Sequence, residues 1–444
     1  MEHRFIIKDA VKHAGEKVRV AGWVNVRRAH GKILFIDLRD VSGLLQVVFV
    51  PSNKEVYDLA QTLRPEWVVE IVGQIVKRPE NMVNPDMESG HVEMSADSLK
   101  VLSEAETPPI PIDEEVTDET EMDKRLDWRW IDLRKQKNLL LFKVWTLMEQ
   151  AFREYWISNN YIEIHSPKLI ATASESGSEV FEVKYFKTKA YLAQSPQFYK
   201  QMAMASGFER VFEVGPVFRA EPSFTSRHAT EFTGYDAEIS FINSHYDVME
   251  EEERMITYGL EKIKAAYGPE ILKLYNREVI VPKLPFPKIS MEEVKKILAK
   301  KNVKSERDGD LSPEEERAIS QYVKEEFNHE FVFITEYPAK VRAFYHMRDE
   351  KNPKLTKSFD LLWNGIEITT GAQREHRYEV LLKQAKEKKM NPKKIQFYLD
   401  FFRYGCPPHG GYGMGPNRMI MKLLGIDNVR DAMFIYRGVK RITP

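Results

Sequence analysis

The sequence predicts an α+β protein, with an all-β domain first and a larger mixed domain after it. Three observations carry this. Residues from about Val18 to Leu102 hold five β-type runs, VRVAGWVNV, KILFIDLRD, LLQVVFV, EWVVEIVGQIVKR and HVEMSADSLKVL, and one helical stretch, NKEVYDLAQTLR, follows the third. An acidic, proline-bearing connector, EAETPPIPIDEEVTDETEMD, occupies 104–123. Beyond it, amphipathic helices alternate with strand patterns. The bounds expected are 1–103 for the first domain, 104–136 for a linker or hinge, and 137–444 for the second domain, with a helical and mixed insert at about 243–357.

Composition narrows the function classes. The chain has 444 residues, is 43% hydrophobic and 30% charged, and carries a formal net charge of −1, so any nucleic-acid contact must use local patches rather than the overall field. Cys406 is the only cysteine, which rules out intramolecular disulfides and fits a cytoplasmic location. No apolar run is long enough to span a bilayer, and MEHRFIIKDAVKH does not read as a signal peptide.

Five strands with a helix after the third suggest a small oligonucleotide-binding (OB-fold) barrel. Phe35 and Gln46 fall on adjacent strands, where an exposed aromatic can stack a base and a glutamine can read its edge. Core packing is the ordinary alternative for Phe35. KRLDWRWIDLRKQK, after the connector, either touches nucleic acid or caps the next domain.

In the second domain, Asn138–Asn159 reads as a helix, with Phe142, Trp145, Met148, Phe152 and Trp156 at core spacing. YIEIHSPKL is a strand ending at Pro167, and SESGSEVF, with Glu175, has the composition of a loop that closes over a ligand. A turn at Ser195–Pro196 leads into a helix from Gln197, placing Lys200 in its first turn, where a cation opposes the macrodipole. The strand VFEVGPVF continues into Arg219 and Glu221, expected on one strand face, then Arg227, His228 and Phe232. Guanidinium forks with an aromatic form a plausible nucleotide site; a solvated hairpin is the bland alternative. Asp236 and Glu238 share a strand face. EFVFITEYP and VRAFYHM read as strands, and Ser312–Pro313–Glu314–Glu315 has the form of a capped helix start. Asp360 and Glu367 lie in strand patterns, where buried carboxylates need a partner such as magnesium or an arginine. Arg374 follows an expected turn at Gly371, and Arg418 opens a helix after a glycine-rich stretch.

Taken together, the chain resembles the class II aminoacyl-tRNA synthetases of the aspartyl type over nearly its whole length. YIEIHSPKL is similar to motif 1, FRAE…RHATEF to motif 2, and GGYGMGPNRMIM to motif 3. The resemblance implies an antiparallel catalytic sheet flanked by helices, a homodimer joined through motif 1, and a chemistry using ATP, magnesium, L-aspartate and tRNA. It implies that Arg219 and Arg418 are catalytic. ATP would be bound by Arg219, Glu221, Arg227, His228, Phe232, Glu367 and Arg418. Magnesium would be held by Asp360, Glu367 and Thr370. Glu175, Ser195, Gln197, Lys200, Asp236, Thr370 and Arg374 would bind aspartate, and Phe35, Gln46, Glu93 and His30 would face the anticodon.

Asparaginyl and lysyl enzymes share this architecture. Aspartate brings a second carboxylate, which Lys200 and Arg374 suit; the resemblance implies that asparaginyl enzymes lack this lysine, and a lysyl pocket would be acidic. The expected reaction is attachment of aspartate to tRNA(Asp). His30, beside Gly31, either signals relaxed choice that extends to tRNA(Asn) or is an ordinary turn residue. An asparaginyl enzyme and a non-catalytic tRNA-binding relative are the alternatives. Two departures stand out: Asn417 occupies a motif 3 position that is acidic in the family, and the compact, archaeal-like length leaves no room for the extra domain of bacterial relatives.

Overall fold

The computed structural model describes residues 3–85, 87–112, 120–173, 180–222 and 225–444. The chain forms two compact units, Met1–Lys135 and Gln136–Pro444.

In the first unit, alternation of apolar and polar residues folds β1 (Lys17–His30), β2 (Ile33–Asp40), β3 (Gly43–Phe49), β4 (Val68–Lys77) and β5 (Val92–Ser103) into a closed barrel of order β1-β2-β3-β5-β4. Val20, Ile36, Val47, Ile71 and Met94 point inward and are fully buried. The helix Lys54–Thr62 follows the third strand, as the sequence predicts. Part of the expected linker is built into this unit. Arg134 Nη1 donates to Glu66 Oε2 at 2.8 Å, and the same carboxylate takes two 2.8 Å bonds from Arg39. Arg129 and Lys135 both pair with the buried Asp132.

The second unit is built on an eight-stranded sheet. In chain order its strands are β6 (Ile162–Glu163), β10 (Arg210–Phe218), β11 (Glu231–Ser240), β12 (Lys288–Ser290), β13 (Phe331–Thr335), β14 (Ser358–Trp363), β15 (Ile366–Gln373) and β16 (His409–Met414). The spatial order is β12-β13-β14-β15-β16-β11-β10-β6, antiparallel except at the two ends. A small sheet of β7 (Leu169–Ile170), β8 (Glu182–Tyr185) and β9 (Thr188–Leu192) stands apart from it. The helices Gln136–Ser158 and His245–Tyr275 supply the apolar cover: Trp156 stacks on Phe212 at 4.6 Å, and Phe152 meets Tyr235 edge-on. Within 243–357, β12 and β13 extend the main sheet, and the helix Pro313–Phe327 begins with a reciprocal Ser312–Glu315 capping box.

Four local expectations change. Of YIEIHSPKL, only Ile162–Glu163 pairs in the main sheet, so that strand ends before Pro167. β10 ends at Phe218, so Arg219 and Glu221 lie in the connection beyond it rather than on a strand face. Gly371 is inside β15, not at a turn: a Cβ there would sit 2.2 Å from the Phe359 ring, so the glycine serves close packing. In VRAFYHM, Val341 closes the short 3-10 turn Ala339–Val341 and the rest is irregular chain, with an isolated bridge at His346 and another just beyond it at Arg348.

Candidate active site

A cleft of about 620 Å³ opens over β11, β15 and β16. Ser195, Gln197, Arg219, Glu221, His228, Phe232, Asp236, Glu367, Thr370, Arg374 and Arg418 line it, from segments up to 223 positions apart (418 − 195).

At one end stand the groups read as nucleotide-binding. The Arg219 guanidinium lies 5.5 Å from the Phe232 ring centre, and its buried Nε has no partner among the described residues. A donor left this way fits an anion entering the cleft. Arg418 is placed by the helix Pro416–Leu424; its Nη1 donates to the Glu367 carbonyl at 2.8 Å and lies 3.6 Å from the Glu367 carboxylate. Burial, then the neighbouring arginines beginning with Arg418, hold the His228 imidazole below its usual range. Arg227 is turned elsewhere: it bonds Glu316 of the helix Pro313–Phe327 at 2.6 Å and the Gly365 carbonyl at 3.2 Å, and it does not line the cleft.

Asp360 and Thr370 face one another across β14 and β15, and the Thr370 hydroxyl donates to Glu367 at 3.2 Å. Arg342 binds one Asp360 oxygen at 2.6 Å, while the other, Oδ1, is buried without a hydrogen-bond partner among the described residues. Burial and the Asp360 charge raise the Glu367 pKa. The Glu367 side chain keeps 36% of its surface open, so water in the cleft moderates that shift. Two crowded carboxylates with an unused buried oxygen fit a divalent cation with oxygen ligands. Among the described residues, no group of three or more His, Cys, Asp or Glu side chains forms a protein-only metal site, so water or substrate oxygens would complete the shell of such an ion.

At the other end, Lys200 is fully buried on the first turn of the helix Gln197–Ala205, immediately behind the cleft wall. Its ammonium lies 2.8 Å from Asp236 and 3.5 Å from Glu238, and donates to the Tyr412 carbonyl at 3.0 Å. Glu238 also takes Arg374 Nε at 2.9 Å, so one carboxylate joins both cations. Burial would raise Glu238; Arg374 and Lys200 more than reverse that and keep it ionised. Gly411 makes this possible, since a Cβ there would sit 2.3 Å from Glu238 Oε2. Ser195 Oγ accepts from the Gln197 amide at 3.3 Å, and Gln197 continues through Gln201 to His409. Glu175 lies outside the described residues.

On the barrel, Phe35 is half-buried on the outer face and stays out of the core that its neighbours Leu34 and Ile36 join. Gln46 donates to Glu93 at 3.0 Å, with Arg28 and Arg78 alongside. His30 is exposed at the end of β1, beside Gly31 at φ +61°. Reading by residue type missed Glu238 as a site residue, although its spacing from Asp236 put both on one face. It also missed Arg342 and His346, which lie in the misread VRAFYHM stretch.

Comparison with known proteins defines the class. Residues 121–436 match the family of tRNA synthetases class II (D, K and N), and residues 18–102 match the OB-fold nucleic acid binding domain. The chain belongs to this class II synthetase family. It is 42% identical to the aspartate–tRNA(Asp/Asn) ligase of Aeropyrum pernix, over 99% of this chain and 98% of that one. It is 39% identical to the aspartate–tRNA(Asp) ligase of Pyrococcus furiosus, over 97% of each. Among solved structures it is similar to asparaginyl-tRNA synthetase from Pyrococcus horikoshii complexed with asparaginyl-adenylate, with TM-score 0.90 and 32% identity over all of both chains. It is also similar to aspartyl tRNA synthetase from Entamoeba histolytica, with TM-score 0.88 and 30% identity over 100% of this chain and 93% of that one.

Proposed function

We propose that this enzyme attaches L-aspartate to tRNA(Asp) through an aspartyl-adenylate. The observation that carries the choice of amino acid is the linked pair of cations, Lys200 and Arg374, held in place by Asp236 and Glu238. Arg374 lines the cleft and can give a side-chain carboxylate a charge-assisted hydrogen bond that an amide does not gain, while Lys200, behind the wall, acts through its charge and through Asp236 and Glu238. The asparaginyl likeness in fold does not decide this point, because the two kinds of enzyme share the architecture.

In this reading the α-carboxylate of aspartate attacks the α-phosphorus of ATP in line, and pyrophosphate leaves. Arg219 and Arg418 hold the phosphates and adenine, Phe232 stacks one face of the base, and Glu221 meets its amino group. Magnesium, held by Asp360 and Glu367 with Thr370 beside them, would neutralise charge on the phosphates. Little proton transfer is needed, so the site works by positioning and charge complementarity. The terminal ribose hydroxyl of tRNA then attacks the adenylate. Phe35, Gln46 and Glu93 on the outer barrel face are suited to unstacked anticodon bases.

Two further readings have specific support. A homodimer suits the hollow of about 1190 Å³ beside the helix Gln136–Ser158; that helix leads into YIEIHSPKL, which does not line the hollow, and the rim exposes Ile157 and Phe434 at 62% and 64%. Relaxed tRNA choice draws on His30, whose exposure at the barrel turn leaves it open to an anticodon base. Aspartylation of purified tRNA(Asp) and tRNA(Asn) tests the function and its breadth together. Charging of tRNA(Asp) is expected, and failure to charge either contradicts the proposal. A preference for tRNA(Asp) above about a hundredfold, roughly 2.7 kcal/mol, would exclude relaxed choice.

A further inference from the structure

His346 has no role in the reaction described above, yet it sits against its most important cation. It faces Arg374 in an isolated antiparallel bridge. The flanking bonds, Met347 N to Gln373 O at 3.0 Å and Glu375 N to Tyr345 O at 2.9 Å, lie on either side of that pair. His346 and Arg374 are therefore a non-hydrogen-bonded pair, the arrangement that brings two cross-strand side chains closest and on one face. Both line the cleft.

His346 is 5% exposed, and its Nδ1 is buried with no hydrogen-bond partner among the described residues. An unmade hydrogen bond at a buried ring nitrogen is costly, so a histidine serving only to pack would be expected to satisfy it. Burial, with Arg374, Arg342 and Lys388 nearby, keeps the ring neutral. A neutral ring offers a donor without a third buried charge, which is the chemistry a carboxylate beside Arg374 would use.

We propose that His346 is a substrate-binding residue whose Nδ1 hydrogen-bonds the carboxylate of the bound amino acid beside Arg374. This rests on the reading that the cleft takes aspartate.

The test is aspartate-dependent ATP–pyrophosphate exchange by the full-length enzyme and its H346A, H346N and H346Q variants, with thermal melts to confirm folding. H346A should raise KM for aspartate by roughly tenfold to a hundredfold and leave KM for ATP within about twofold. Asparagine places its amide near the position of Nδ1, and glutamine near that of Nε2. H346N should therefore restore most of the affinity, and H346Q should resemble H346A. An unchanged aspartate KM in H346A, equal losses in H346N and H346Q, or a parallel rise in KM for ATP would each overturn the proposal. If H346A does not fold, the H346N and H346Q pair decides by the same criterion. A wild-type enzyme that exchanges only with another amino acid sinks the aspartate reading instead, and the KM comparison is then made with that amino acid.

Discussion

Glu252 lies on the helix His245–Tyr275 that covers the catalytic sheet, fully buried, and neither of its carboxyl oxygens has a hydrogen-bond partner among the described residues. The Thr369 hydroxyl is near enough to favour ionisation but makes no bond of ordinary geometry to it. Desolvation dominates and pushes the carboxyl from its ordinary value of 4.5 up to about 8. The folded protein thus holds a proton that the unfolded chain releases. For a raised carboxyl the stability contribution is complete below about pH 4.5 and is lost as pH rises toward 8. At about 1.36 kcal/mol per unit, the loss between pH 5 and 7.5 is about 3 kcal/mol. Glu252→Gln removes the titration and keeps the shape. Burying the amide has its own cost, but that cost does not vary with pH. The stability of E252Q relative to the parent should therefore grow by about 3 kcal/mol from pH 5 to pH 7.5, measured as urea unfolding at several pH values. Parallel pH profiles for the two proteins would refute a neutral buried Glu252.

Three further outcomes are expected. Lys200→Met leaves Asp236 and Glu238 buried with one cation fewer, and aspartate-dependent exchange should fall roughly a thousandfold; a loss below about tenfold would contradict the role given to the lysine. Glu316→Gln frees Arg227 from its 2.6 Å partner, so KM for ATP should drop by about threefold to tenfold while KM for aspartate holds; a rise in KM for ATP would show that the pair does not compete with phosphate. Phe35→Ala removes a stacking surface worth about 1–3 kcal/mol per base, which should raise KM for tRNA by roughly fivefold or more and leave ATP–pyrophosphate exchange unchanged.

The barrel was legible because its strands alternate apolar and polar residues with turns between them, and local patterning decides such strands. The gathering of Arg219, Glu221, His228 and Phe232 on one cleft was legible for a different reason: they sit close together in sequence, so the fold had little left to arrange. The linked pair of cations was only half visible. Glu238 and Arg374 meet because β11, β16 and β15 are neighbours in the sheet, and Lys200 joins them from the helix Gln197–Ala205, an arrangement that no local pattern encodes. That neighbourhood turns Glu238 from a strand carboxylate into the bond between two cations. Gly371 misled because glycine serves turns and close packing alike, and only the Phe359 ring on the adjoining strand distinguishes them. The VRAFYHM stretch misled because its aromatics suit a strand, while its backbone is fixed by isolated bridges to distant segments. Arg227 was assigned by its company, yet its side chain pairs with a helix 89 positions away.

The most direct measurement is ATP–pyrophosphate exchange with aspartate and asparagine offered separately. Adenylate formation precedes any tRNA contact, so it isolates the choice made by Lys200, Glu238 and Arg374 from the anticodon reading. Aspartate should support exchange and asparagine should not. Exchange with asparagine alone would contradict the assignment of these cations, and exchange with neither would contradict adenylate chemistry in this cleft.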